Sequence, residues 1–281
     1  MDIYVLIPVF NRLHFTKKII KCIREQTFKE ILKIYVVDDG SSDGTGDWLN
    51  KQLDINIVQG NGNLFWSGAI NLGLKNILKI ANPDDWLLLI NNDVLINPNY
   101  VETIFNIAKN NYPAAIGSII KNKNGKVVSV GPKIFTKSLK IKDLNDYKKI
   151  FKNKKLLKDV DALSGRGVIY PLKSIVEVKG INQYIFPHYF ADYELSLRIK
   201  KKGYKLIISK DAYVSTEEDF DLIKYQRKIQ PFFKKLSSKK STSLIYSKFF
   251  FWWEASNIIE RITLPLRIII FIMLPILRKV L

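Results

Sequence analysis

The sequence predicts an α/β protein, a mainly parallel, doubly wound sheet with a helical, membrane-associating extension at its C-terminal end. Three observations predict it. Over residues 1–120 short apolar runs alternate with segments whose apolar residues recur at helical spacing. Those apolar runs end in loops rich in Asn, Asp and Gly. The last 33 residues, "FFFWWEASNIIERITLPLRIIIFIMLPILRKVL", are dominated by aliphatic and aromatic side chains. The expected boundaries are a sheet domain over 1–230 and a C-terminal helical segment over 231–281.

"IYVLIPV" reads as the first strand, and "HFTKKIIKCIREQ" as a helix with Phe15, Ile19, Ile20 and Ile23 on one face. "ILKIYVV" is a second strand, "GTGDWLNKQL" a short helix and "INIVQ" a third strand. "AINLGLKNILKIA" sets Ile70, Leu74, Ile77 and Leu78 on one helical face. "DWLLLI" has the continuous apolar character of a strand covered on both sides, and "NYVETIFNIAKN" is the helix after Pro98. "AAIGSII" is a fifth strand. The βαβα rhythm implies parallel strands joined by crossovers. "NKNGKVVSV" carries the Asn-Gly of a hairpin, and 135–160 is a lysine-rich connection of undefined shape. "ALSGRGVIY" reads as a strand with a glycine-bearing approach. "DYELSLRIKKKGYKLII" reads as a helix, a stop at Gly203 and a strand.

The chain has 281 residues, 47% hydrophobic, enough for a sizeable core. Its single cysteine, Cys22, excludes an internal disulfide and argues against a cysteine-based zinc site. "MDIYVLIPV" is expected to be a first strand and not a signal peptide. The formal net charge of +19 fits an anionic membrane surface, an anionic substrate, nucleic acid, or plain lysine bias. No helix-turn-helix, zinc-finger or RNP-like pattern accompanies the charge, so nucleic acid is not expected as a partner. From Ile262 to Leu277 the only charge is Arg267, a window short of the ~20 apolar residues a membrane span requires. An interfacial or re-entrant helix is expected, with a true span, a packed C-terminal helix or a dimer contact as the alternatives.

Four loops follow strands on one expected edge of the sheet, the edge where open α/β sheets bind ligands. "PVFNR" (8–12) alone reads as a strand-to-helix turn. "VVDDGSSDGTGDWL" (36–49) places two carboxylates at a strand end, able to accept from a base N–H or a ribose hydroxyl, or to cap a turn. "GNGNLFWSGAINLG" (60–73) lets backbone approach a ligand at Gly60, Gly62 and Gly68. It lacks the dinucleotide-binding context, and its Phe65 reads as core. "NND" (91–93) ends the strand "LLLI" in two amides and a carboxylate, either a turn or a ligand site.

Taken together, "PVFNR", "VDDGSSDGT", "GNLFWSGAINLG", "NND" and "FADYELSLRIKKKGY" resemble, in order and spacing, family 2 glycosyltransferases over about residues 1–215. The likeness is to the bacterial branch of surface-polysaccharide and rhamnosyl-type transferases. It implies a GT-A fold, a nucleotide-diphosphate sugar donor (UDP- or dTDP-linked), usually a Mg²⁺ or Mn²⁺ ion, and inversion at the anomeric carbon. By the same resemblance Asp93 holds the metal, with Asn92 beside the donor, and Asp39 meets the nucleobase or ribose. Pro8, Asn11 and Arg12 line the nucleotide pocket, and Gly68 and Asn71 belong to the loop that closes over the donor. Asp192 is the base that takes the proton of the acceptor hydroxyl, with Ala191 where relatives carry a second acid. Glu194 is expected to pair with Arg198. Trp66, Gly165 and Arg166 fall on the acceptor or phosphate side, and Trp66 hints at a deoxysugar donor such as dTDP-rhamnose. One departure concerns the metal. Many relatives carry a ligand His near the position of Ser215; here the ion is expected to be held more weakly, or Glu217 or Glu218 to substitute. The implied function is sugar transfer to a lipid-linked or growing surface glycan at the cytoplasmic face of the membrane. A catalytically weak nucleotide-sugar-binding partner is the alternative. A nucleotidyltransferase is disfavoured because "PVFNRLHF" lacks a glycine-rich activating loop.

Overall fold

The structure, a computed structural model, describes residues 1–158, 160–216 and 245–280. The elements run β1 (Ile3–Val9), α1 (Leu13–Arg24), β2 (Leu32–Asp38), α2 (Thr45–Leu49), β3 (Ile55–Gln59), α3 (Phe65–Ile77), β4 (Trp86–Leu89), β5 (Val94–Leu95) and α4 (Tyr100–Asn110). Then follow β6 (Ala114–Asn122), β7 (Val127–Ser129), β8 (Pro132–Phe135), β9 (Lys140–Asp143), α5 (Tyr147–Phe151), β10 (Leu156–Lys158), β11 (Val168–Pro171), α6 (Leu172–Glu177), α7 (Ala191–Lys201) and β12 (Lys205–Thr216). Two further helices, α8 (Ile245–Ala255) and α9 (Ile258–Val280), complete the described chain.

The central sheet has the order β10-β12-β6-β11-β4-β1-β2-β3. Its first half is parallel, as expected: β1 pairs β2 and β4 in parallel, and β2 pairs β3 in parallel. Residues alternate between the faces of β1, with Tyr4 and Leu6 in the core under α3 and α7, and Ile3, Val5 and Ile7 in the core under α1 and α4. Burial on both faces is why these strands read as unbroken apolar runs. Helix α3 lies so close to the sheet that a Cβ at Gly73 would overlap Leu6.

In the second half β6 and β12 also pair in parallel, and the expectation of a mainly parallel sheet needs correction at β5, β7, β10 and β11. β11 inserts between β4 and β6 and runs antiparallel to both. A parallel strand there would need a crossover across the face of the sheet. The connection from 123 to 167 instead holds short strands and one five-residue helix, so the chain enters β11 from the opposite end. The Asn-Gly hairpin is present, with Gly125 at φ +75° between β6 and β7. The β8–β9 hairpin forms a separate two-stranded sheet.

The C-terminal helices pack onto this body. α8 lies on α7, with Phe251 stacked on Phe190 at 4.9 Å and Lys201 bonded to Glu254. Leu264 and Ile268 of α9 join the core, and Thr136 of the hairpin donates to Glu260 at 2.9 Å. The opposite face of α9 exposes Ile258, Ile262, Leu266 and Ile269. Among the described residues no helix is long and apolar enough to cross a membrane. The expected boundary at residue 230 lies outside the described residues.

Candidate active site

The topology gathers the loops singled out in the sequence. β1, β2 and β4 are parallel, so residues 10–12, 39–44 and 90–93 leave the sheet at one edge. β11 is antiparallel to β4, so its incoming turn, 164–167, reaches the same edge. From β1 the strand order runs to β2 on one side and to β4 on the other, the switch point at which such sheets open a crevice. Arg12 follows β1 and Asp93 follows β4, on either side of that point.

Asp39 organises the glycine-rich loop. It is almost fully buried; Oδ1 accepts from the Gly62 N–H at 2.8 Å, and Oδ2 from the N–H groups of Leu64 and Phe65 at 2.9 and 3.2 Å. A carboxylate has about four acceptor positions, and three are taken by these N–H groups. A Cβ at Gly60 would come within 2.6 Å of Asp39 Oδ1, which explains the glycine. Asn11 ties the first two loops together: its N–H donates to Ser41 Oγ at 2.7 Å, and its Oδ1 accepts from the Ser42 N–H at 2.9 Å. Asn11 and Arg12 both have positive φ, 57° and 69°. Pro8 is buried within β1, beyond the last residue paired to β4, a position where a strand tolerates a missing N–H.

Trp66 opens onto the middle of the edge. Its indole N–H donates to Asn91 Oδ1 at 2.9 Å, and its ring lies against the backbone of Gly165, where a Cβ would sit 2.6 Å from Cζ2. The Gly165 N–H donates to Asp192 Oδ2 at 2.9 Å, and the Tyr193 N–H donates to Oδ1 at 2.9 Å. Asp192 stands in the first turn of α7, held to the 163–165 segment also through Ser196, whose Oγ accepts from the Leu163 N–H at 3.1 Å. Burial pushes the Asp192 carboxyl above the ordinary carboxylate range; the two N–H groups and the charge of Arg166 pull the other way without cancelling it. Next along the chain, Arg166 Nη2 donates to Asp93 Oδ2 at 3.1 Å, and Arg12 Nη1 lies 3.9 Å from the same oxygen. Positions 39, 93 and 192 are thus linked through the consecutive residues Phe65 and Trp66 and the consecutive residues Gly165 and Arg166.

Several expected site residues serve the fold. Asn92 is buried and donates to Thr16 Oγ1 on α1 at 3.2 Å. Asn71 holds residues 181–183, donating to the Ile181 carbonyl and Gln183 Oε1 and accepting from the Ile181 N–H. Gly68 is buried beneath Leu64. These three support the loops; the Asn71 amide bonds within the protein at both ends, and Asn92 does so through its NH₂ group. Glu194 pairs with Arg198 as expected, through two bonds of 2.6 and 2.8 Å. Asn91, the first amide of the NND motif, orients Trp66. One residue that sequence reasoning passed over also belongs here. Asp143, on the rim, accepts from Ser129 Oγ at 3.2 Å, and its charge reaches Arg166 and Tyr193. It lies in the lysine-rich connection, which carries no motif.

The expected divalent ion is tested by the donor set. Asp93 supplies one carboxylate, and two guanidinium groups face it. Among the described residues no three His, Cys, Asp or Glu side chains come together as metal ligands. Ser215, near the expected His position, is paired with Leu95 between β12 and β5. Glu217 and Glu218 lie outside the described residues. Among the described residues Asp93 is the carboxylate that could hold such an ion, which elsewhere keeps waters and substrate oxygens as ligands.

Comparison with known proteins places this edge in context. The family model described as "Glycosyl transferase family 2" matches residues 4–168, which contain all four strand-end loops and the Gly165–Arg166 turn. The chain belongs to glycosyl transferase family 2. This family 2 chain is 34% identical over 112 residues to "Glycosyltransferase GlyA" of Streptococcus pneumoniae serotype 4. That match covers 37% of the chain and 14% of the relative, so the chain spans only a small part of the curated relative's length. The fold is of the GT-A type. It matches Staphylococcus aureus TarS with a TM-score of 0.56 at 18% identity, over 89% of this chain and 42% of TarS. It matches GalNAc-T7, solved with UDP, GalNAc and Mn²⁺, with a TM-score of 0.63 at 12% identity, over 94% and 57% of the two chains. The mannosyltransferase PcManGT of Pyrobaculum calidifontis, solved with GDP-Man and Mn²⁺, gives 0.59 at 14%, over 90% and 72%.

Proposed function

We propose that this family 2 protein is an inverting glycosyltransferase that moves a sugar from a nucleotide-diphosphate donor to a hydroxyl of a lipid-linked or growing surface glycan. One observation carries the reading: the turn 165–166 bonds Asp192 with its backbone and Asp93 with its side chain. A carboxylate suited to proton removal and a cationic group suited to phosphate therefore belong to adjacent residues. Asp192 acts as the base. Its two N–H bonds fix its orientation, and its raised pKa makes it a stronger proton acceptor than an exposed aspartate. The acceptor oxygen attacks the anomeric carbon as its proton passes to Asp192, and the bond to the diphosphate oxygen breaks on the opposite face. Arg166 and Arg12 lie on the side where negative charge accumulates on the leaving diphosphate. Asp39 meets the nucleobase or ribose, and Trp66 forms a wall between donor and acceptor. Mg²⁺ or Mn²⁺ bound with the diphosphate would be held by Asp93 and would neutralise charge on the leaving group.

The exposed isoleucine and leucine face of α9 and the net charge of +19 support a peripheral position on an anionic bilayer, at its cytoplasmic face. UDP- and dTDP-linked sugars are the donors to test first. Asp192→Asn is expected to lose transfer while keeping donor affinity within a few-fold, measured by product formation and by calorimetric titration of the donor. Full turnover in that variant removes Asp192 from the reaction.

A further inference from the structure

We infer that the tip of the β8–β9 hairpin and the outer faces of α8 and α9 form one docking surface for an anionic bilayer, and that docking holds the chain leading into Asp192 at the level of the lipid headgroups. The inference rests on the membrane reading proposed above and extends it from α9 to three elements and an orientation. On α8, Tyr246, Phe250 and Trp253 are 39%, 42% and 40% exposed, while Phe251 and Trp252 between them are buried. Their spacing of four and three residues places the three rings on one side of the helix. On α9 the exposed Ile258, Ile262, Leu266 and Ile269 keep the same kind of spacing. Arg261 joins the two stripes: its Nε donates to the Trp253 carbonyl at 2.8 Å, and its guanidinium lies 5.3 Å from the centre of the Trp253 ring. Aromatic rings favour the headgroup level and aliphatic side chains the acyl boundary below it, so α8 and α9 suit adjoining depths of one interface.

Charge identifies what covers this face. Glu260 and Arg267 lie seven residues apart on one flank of α9, and both bond Thr136 at the hairpin tip, which donates to the Glu260 carboxylate and accepts from Arg267. That contact brings the exposed Phe135, Lys137 and Lys140 beside the aliphatic stripe. Next to α8, Lys201 and Lys202 are exposed at the end of α7, and Lys201 bonds Glu254 at 2.6 Å. The acids of the two helices, Glu254 and Glu260, are both bonded within the protein. An apolar surface rimmed by amines matches a bilayer, which offers phosphates above acyl chains. A second copy docked on the same face through a two-fold axis would set this rim against itself. The surface is tied to the acceptor side of the cleft from two directions. Ser247 of α8 donates to the Ile185 carbonyl at 2.5 Å, beside Tyr184, which is 84% exposed. Phe190, two residues before Asp192, stacks on Phe251 at 4.9 Å. The far end of the hairpin returns to Asp143 on the rim of the cleft. An acceptor carried on a membrane lipid would then reach Asp192 without leaving the bilayer surface.

The test uses the full chain with Cys22→Ser and one new cysteine, Tyr184→Cys or, as control, Leu53→Cys, labelled with the environment-sensitive fluorophore NBD. Leu53 is fully exposed just before β3, at the other end of the sheet order. With phosphatidylglycerol vesicles the label at 184 is expected to brighten and shift to the blue, and the label at 53 to stay unchanged. Lys137→Gln combined with Lys140→Gln is expected to weaken partitioning into phosphatidylglycerol vesicles about tenfold or more, with little change for phosphatidylcholine. Tyr246→Ser combined with Phe250→Ser is expected to weaken both. Should that aromatic pair lower the melting temperature, the lysine pair and the label at 184 carry the test. If wild type stays in the supernatant with phosphatidylglycerol vesicles at low salt, the membrane reading falls, and this surface with it. If wild type sediments but the label at 184 does not respond, or the lysine pair sediments as wild type does, the membrane reading stands and the three-element surface is overturned. A dimer seen by light scattering that the aromatic pair abolishes, with vesicle binding intact, assigns the face to a second copy and overturns the inference too.

Discussion

Asp39 Oδ2 accepts the Leu64 N–H at 2.9 Å, across 25 residues of sequence and at the point where α3 begins. With the bonds to Gly62 and Phe65, this one carboxylate folds the glycine-rich loop. Asp39→Ala leaves three backbone donors without their acceptor. Each such group costs about 1–3 kcal/mol unless water reaches it. A drop of several degrees in Tm is expected, together with weaker donor binding, because Trp66 follows directly on the loop. Thermal unfolding and nucleotide titration of the same variant measure both. An unchanged Tm would show that the loop holds its shape without Asp39.

The proposed role of Asp192 as base predicts the acid side of the rate profile. Its pKa is raised, chiefly by burial, and Arg166 opposes the rise. A base works only when deprotonated, so kcat is expected to fall at a pH above the ordinary carboxylate range as acid is added. Replacing Arg166 with alanine removes a favourable positive neighbour, and the pKa of Asp192 then climbs further. The acidic limb of the Arg166→Ala profile should therefore move to higher pH than that of wild type. A limb that stays in place, or moves down, would separate the two residues. Asp192→Asn is expected to lower kcat ~10²–10⁴-fold where wild-type Asp192 is ionised, with the gap narrowing as acid protonates it.

The sequence made the parallel half of the sheet legible because β1, β2, β3 and β4 are buried apolar runs whose pattern is local. The second half was not legible for two reasons. β8, β9 and β10 are three or four residues long and lysine-rich, and only their partners make them strands. The direction of β11 depends on what the preceding 45 or so residues do, which periodicity does not record. At the site, the motifs located the loops correctly, and Asp93 and Asp192 lie along one edge. They did not say where each amide points. Asn71 and Asn92 have the chemistry of ligand contacts, and they also bond Ile181 and Thr16 within the protein. Asn-rich motifs are read ambiguously for this reason, since a side-chain amide serves a loop as well as it serves a sugar. The start of α3 at Phe65, ahead of the expected helix, follows from Asp39 collecting the N–H groups of 64 and 65.

Arg198 is expected to be a stability residue with little direct effect on chemistry. It makes two bonds to Glu194, which is 3% exposed, and donates to the carbonyls of Val178 and Gly180. Arg198→Ala leaves the Glu194 charge buried without its partner, a loss of about 3 kcal/mol or more. Urea unfolding should show it as a lower midpoint with an unchanged slope. Burial has already raised the pKa of Glu194 against the pull of Arg198, so the variant protonates Glu194 more readily. The destabilisation should therefore shrink as pH falls below neutral. A loss that is constant with pH would place its origin in the packing of the arginine stem.

The membrane reading is best tested on the outer face of α9. Removing residues 249–281 would also strip Phe251, Trp252 and Leu264 from the core, so loss of binding in a truncated chain would not distinguish anchoring from unfolding. Ile262 and Leu266 are exposed, whereas Leu264 and Ile268 on the other face are buried. Ile262→Ser combined with Leu266→Ser therefore leaves the packed face intact, and Tm is expected to stay within about 2 °C of wild type, as for surface substitutions generally. Wild type is expected to sediment with phosphatidylglycerol vesicles, less with phosphatidylcholine vesicles, and less again at high salt. The double variant should remain in the supernatant. If it sediments as wild type does, the basic surface elsewhere holds the protein to the vesicle and α9 does not.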